Sequence, residues 1–205
     1  MFRRWLCVLG ITVGLCVNGL AADPTMTPDE RAHVIKLLED SRAEFLSAVE
    51  KVSEVQWKWK AAPDRWSVGE TAEHILLAEA LLFSKVTQAL AAPVNPDWEK
   101  ATAGKTAFLE RVMVDRRNKA SAPEAIRPQG LSKDEVIRRY KEERGKTIQF
   151  AEGTQAALKE HTTEHPFKVF GTLNAYQWLI YIPLHNLRHD QQISEVQSTP
   201  GYPKE

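Results

Sequence analysis

Two of the six histidines in this 205-residue chain, His185 and His189, lie four residues apart. On a helix that spacing puts both imidazoles on one face, about a turn from each other. Trp178, Ile182, Ile193 and Val196 fall on the same stripe, so the pair points into a core rather than into water. Two neighbouring buried imidazoles are costly if either is charged. A shared divalent cation removes that cost by binding both in the neutral form. Hydrogen-bonded core histidines are the other reading of such a pair. Asn186 stands where a zinc peptidase of the H-E-x-x-H type carries its general-base glutamate. An amide cannot take up that proton, which argues against peptidase chemistry.

His74 is the best candidate for a third ligand. It shares a helical stripe with Leu77 and Leu81, and alone it too would read as a core histidine. Three interior histidines on two helices make the joint reading stronger than any single one. Three neutral ligands also leave coordination positions open, as a catalytic site requires. His161 and His165 are again four apart, but they precede Pro166 at a helix end; they read as a loop-facing pair rather than a second metal site.

These residues need helices to position them, and the sequence supplies four long ones. Thr27-Pro28-Asp29-Glu30 is a capping box, and Val34, Leu38, Ser41, Phe45, Ala48 and Val52 follow at helical spacing, predicting a helix to about residue 52. Ser67-Val68-Gly69-Glu70 opens a second helix to about residue 90, apolar on most sides. Ser132-Lys133-Asp134-Glu135 opens a third to about residue 160, with Val136, Tyr140, Thr147, Ala151 and Leu158 inside. A fourth spans about 172–197. Residues 91–130, broken by Pro93, Pro96, Pro123 and Pro128, form a long irregular segment with a short helix expected around 105–114. No stretch alternates as a strand would. The expected fold is an all-α four-helix bundle over residues 27–197.

Balanced charge, 27 basic against 27 acidic residues, removes the usual electrostatic case for nucleic acid or an anionic membrane as partner. At the N-terminus, Arg3-Arg4, an apolar run from Trp5 to Val17 and small residues at Gly19-Leu20-Ala21 read as a secretory signal peptide covering residues 1–22. The run is too short to span a bilayer, so no stable membrane insertion is expected after cleavage, and the mature chain is expected in the periplasm or outside the cell. Both cysteines, Cys7 and Cys16, lie in that segment. The mature chain therefore has no disulfide and no thiolate ligand.

Two segments carry a resemblance. Trp66-Ser67-Val68-Gly69-Glu70-Thr71-Ala72-Glu73-His74-Ile75, followed far downstream by His185-Asn186-Leu187-Arg188-His189-Asp190-Gln191-Gln192-Ile193, resembles the DinB-like superfamily, in the branch with W-S-x-x-E-x-x-x-H-I and H-x-x-R-H-x-x-Q-I. The likeness runs from about Thr27 to Val196. It implies an up-down-down-up bundle with a divalent metal (Zn, Ni, Mn or Fe) on His74, His185 and His189. It also implies metal-dependent chemistry on a small molecule, such as transfer to a low-molecular-weight thiol or hydrolysis, through a water or thiol activated by the ion. Arg188, Gln192, Glu73 and Trp66 are candidates to line or support that site, and Arg116, Arg117 and Lys119 to cap it. A non-catalytic exported metal-binding bundle for storage, sensing or stress is the alternative. Some bundles of this kind pair as homodimers, although no exposed apolar stripe here requires it.

Overall fold

The computed structural model describes residues 22–117 and 121–204; the signal segment read at residues 1–22 lies almost wholly outside them, as does Lys119. Helices α1 (Pro28–Val49), α2 (Glu54–Lys58), α3 (Val68–Ala91), α4 (Trp98–Thr102), α5 (Lys105–Met113), α6 (Lys133–Gly153) and α7 (Ala175–Gln197) are joined by loops and a 3-10 turn at Glu124–Ile126. Thr27 and Ser67 make the expected capping boxes with Glu30 and Glu70. Ser132 accepts from the Glu135 N–H, but the Glu135 carboxylate takes Arg138 instead of closing the box.

Several boundaries differ from the sequence reading, each for a local reason. The first helix stops at Val49 rather than near residue 52, because Ser53 opens a capping box of its own with Gln56 and starts α2. The third stops at Gly153 rather than near 160, and Leu158 reaches the core from a loop. The fourth begins at Ala175, where Asn174 and Gln177 form a capping box. Residues 172–174 are instead strand β2, paired antiparallel with β1 (Thr162–Glu164), Thr163 opposite Leu173. This corrects the expectation of no strand: three residues are too few for a period of two to show.

Hydrogen bonds between the long helices fix their directions. Arg31 at the start of α1 donates to the carbonyls of Ala151 and Thr154 at the end of α6, so these two run antiparallel. Gln197 at the end of α7 reaches the carbonyl of Ala48 at the end of α1, so α7 and α1 run parallel. Glu73 meets residues 129–131 just before α6, and Glu79 meets Arg144 further along, so α3 runs with α6. The order is up-down-down-up. Helices α1 and α3 each pack on both α6 and α7, so chain neighbours α1 and α3 stand on a diagonal. Helix α3 is long and apolar enough to cross a membrane by length and composition, but it is a core helix of the bundle. Its first turn is crossed so closely by the Trp57 indole that a Cβ on Gly69 would lie 2.4 Å from Nε1.

Two apolar clusters fill the bundle, one around Leu38, Leu82, Val86 and Leu179, the other around Phe45, Ile75, Leu76, Val136 and Ile193. Between them lies a polar layer to which every long helix contributes. Buried Arg144 donates from Nε and Nη2 to the two Glu79 oxygens at 3.0 and 2.8 Å, and from Nη1 to Leu38 O and Ser41 Oγ. Asn186 Oδ1 accepts from Arg144 Nη2 and from the Tyr140 hydroxyl. Asn186 therefore braces the core.

Candidate metal centre

Helix α3 delivers His74 and α7 delivers His185 and His189 to one place beside the polar layer. The ring centroids are 4.5–5.0 Å apart, and a nitrogen from each ring lies within 4.8 Å of the other two. His74 is buried, while His185 and His189 are partly exposed. The α7 pair thus sits on the flank of the helix facing α3. The axis of the bundle is met by Asn186, Asp190 and Ile193, which are buried.

The hydrogen bonds fix which nitrogens are available. His74 Nδ1 is 2.7 Å from the carbonyl oxygen of Ile126, which can only accept, so Nδ1 carries the proton. His189 Nδ1 is 3.0 Å from Gln192 Oε1, and that oxygen also accepts from Arg116 Nη1 at 3.2 Å, which fixes the amide orientation. Both Nε2 atoms therefore present lone pairs, and they face each other at 3.2 Å. A hydrogen bond between them would need an imidazolium. Burial opposes that: it lowers the pKa of His74, drives His185 well below the ordinary histidine value and, with the neighbouring His74, takes His189 to about 3. Two nitrogens bound to one ion at 2.0–2.1 Å with tetrahedral angles sit about 3.3 Å apart. Three neutral, converging imidazoles are thus a donor set that fits a divalent metal.

The supporting candidates divide. Gln192 touches His189 directly. The Trp66 ring lies 4.9 Å from that of His74, and Tyr181 stacks 6.3 Å from His185. Arg116 holds Gln192 and pairs with Glu195 at 2.8 Å. Arg188 donates to the carbonyls of Met113 and Asp115 at the end of α5. Glu73 points away from the imidazoles and accepts from the backbone N–H groups of Gln129, Gly130 and Leu131. Arg117 pairs with Asp115 on the surface, holding that carboxyl down at about 2. The Ile126 carbonyl is a site group that side-chain patterns cannot reveal, because it belongs to the backbone. His165, expected to be loop-facing, does lie in the β1–β2 connection but is buried and stacks on Trp178 at 4.9 Å, because that connection folds back over α7.

A fold of four long helices in this order, with three clustered histidines that could hold a metal ion, defines a class of helical bundle. The DinB superfamily model matches residues 37–193, and the chain belongs to that superfamily. It is 26% identical over 170 residues to the uncharacterized protein YuaE of Bacillus subtilis (strain 168), covering 79% of this chain and 96% of that one. Among solved structures it is similar to YfiT from Bacillus subtilis, described as a probable metal-dependent hydrolase with an unusual four-helix bundle topology. The TM-score is 0.58 at 15% identity, over 91% of this chain and 97% of YfiT; that likeness establishes the fold.

Proposed function

We propose that this protein is a divalent-metal-dependent enzyme, of hydrolase or thiol-transfer type, acting on a small molecule with His74, His185 and His189 as ligands. One observation carries the reading: two Nε2 atoms 3.2 Å apart, on rings whose Nδ1–H groups are both committed elsewhere. The description of YfiT as a probable metal-dependent hydrolase is in keeping with it. A bound divalent ion supplies Lewis acidity and brings a water or thiol pKa into the neutral range. The chain's own residues set the rest. Ile126 O and Gln192 Oε1 hold two rings in the ligating tautomer, and Trp66 and Tyr181 wall the site with aromatic faces. Three imidazoles suit Zn, Ni, Mn or Fe, and availability decides among them.

Reconstitution with each metal followed by elemental analysis should find about one equivalent per chain, lost in His189→Ala. No uptake of any of the four ends the reading. Ester hydrolysis and thiol-transfer assays on the loaded protein then separate enzyme from binder: activity lost in a Gln192→Ala variant that keeps its metal identifies an enzyme. The proposal includes export. N-terminal sequencing of the protein from the periplasm or medium should begin at residue 22 or 23, and an intact Met1 on a cytosolic product refutes it.

A further inference from the structure

We infer that Glu73 is a positioning residue for His74, acting through the backbone turn at 126–131. It sits next to His74 on α3, yet its carboxylate never approaches the imidazoles. Oε1 accepts from Gln129 N–H at 2.8 Å, and Oε2 accepts from Gly130 N–H at 2.9 Å and Leu131 N–H at 3.1 Å. Glu73 is 2% exposed, so these three bonds are shielded from water, in a setting where hydrogen bonds are strong and directional. Three residues upstream on the same turn, the Ile126 carbonyl accepts the His74 Nδ1–H at 2.7 Å. A circuit of hydrogen bonds therefore leaves α3 through the Glu73 side chain, passes through the amides of residues 129–131 and along the turn to the Ile126 carbonyl, and returns to α3 at the His74 ring. That closed circuit decides where the Ile126 oxygen stands, and the oxygen decides which ring nitrogen of His74 carries the proton. Gly130 makes the circuit possible: its φ of 91° lies in the region that side chains resist, with nothing crowding its Cα.

The role as a metal-ligand support rests on the metal reading above, but the tautomer can be read without any metal. Long-range 15N–1H spectra of the histidine rings in the metal-free protein should show His74 wholly as the Nδ1–H form. In Glu73→Gln, which keeps the shape but sets an NH2 against backbone N–H groups, and in Glu73→Ala, His74 should become a mixture of tautomers. Gly130→Ala, which strains the turn from the backbone side and leaves Glu73 in place, should shift it the same way to a smaller extent. It also serves if Glu73→Ala does not fold. Zinc affinity should fall 10- to 100-fold in the Glu73 variants, the usual range for loss of a hydrogen-bond partner behind a ligand. Leu38→Val, a destabilising change elsewhere in the core, should leave both readouts unmoved. An unchanged His74 tautomer in all three variants overturns the inference. A tautomer that follows Glu73 in a protein that takes up no metal upholds the positioning role and refutes the metal site instead.

Discussion

The ion pair at the middle of the bundle and the three imidazoles beside it both set nitrogen-rich groups among apolar side chains, and they meet the cost of burial in different ways. Arg144 has five N–H donors, and five bonds leave it: two to Glu79, one each to Leu38 O, Ser41 Oγ and Asn186 Oδ1. Charge and hydrogen bonds both close within the fold. Burial keeps the imidazoles neutral, and the outward Nδ1–H groups of His74 and His189 are satisfied, but inward these two rings bring acceptor against acceptor. A buried group that balances internally is a structural element. One whose lone pairs converge is a donor set that a cation could balance.

Breaking the closed grouping should have the largest effect. Arg144→Met strands the Glu79 carboxylate in a site 2% exposed and should cost about 3–5 kcal/mol of stability in urea titrations. Replacing both, with Arg144→Met and Glu79→Leu together, should recover most of that, because no charge is left behind. A single variant costing under about 1 kcal/mol would mean the layer does not lock the helices together, and the contrast with the imidazoles would vanish.

The histidine grouping should respond in the opposite sense. In metal-free protein, His189→Ala removes one member of an acceptor–acceptor contact and should change stability by less than about 1 kcal/mol. The difference appears on adding metal. At a free zinc concentration of about 100 Kd the native protein should gain about 2.7 kcal/mol, and the variant almost none. Thermal melts with and without zinc read this directly. Equal gains in both proteins would place any bound zinc elsewhere.

The two groupings were also unequally legible. His74, His185 and His189 stand out because imidazoles at helical spacing on apolar stripes are uncommon, and their gathering in space follows from α3, whose cap is readable at Ser67, and α7, whose apolar stripe is readable although its cap at Asn174 is not. The polar layer went unread, although it left a signal. Along α6, Val136, Tyr140, Thr147 and Ala151 mark an inner stripe in which position 144 is the vacant step, and Arg144 fills it. Glu79 and Asn186 fill equivalent steps on α3 and α7. A charge on an inner stripe of one helix calls for its opposite on a facing helix. The short strands, the end of α6 and the roles of Glu73 and Ile126 were beyond reach. Three-residue strands carry no period, Leu158 continues the helical spacing of Ala151 although it reaches the core from a loop, and the roles of Glu73 and Ile126 depend on backbone groups brought together by the turn at 126–131.

His165 sharpens the comparison, since it is a buried imidazole outside the group of three. It lies flat against Trp178, with ring planes 14° apart, and near Phe170 and Tyr181. Its Nδ1 accepts the Phe167 N–H at 2.9 Å, so its lone pair is met from within the chain, as Arg144's donors are. Burial, with a smaller contribution from the Lys85 charge, lowers its pKa to about 4. The sign follows from the unfolded value near 6.5. Above pH 6.5 the ring is neutral folded and unfolded, and its contribution is whole. Between 6.5 and 4 only the unfolded chain takes the proton, so stability falls, and below about 4 the loss levels off. Allowing for partial solvent screening, the loss should be on the order of 2 kcal/mol. His165→Phe keeps the aromatic stack and removes the proton site. With a chelator present throughout, titration of the other histidines cancels in the difference between the two proteins. The variant should then hold stability over pH 6.5 to 4 better than the native chain by that amount. Parallel pH profiles would mean that His165 gains the solvent it needs to charge, and that the β1–β2 turn opens far more readily than its aromatic packing implies.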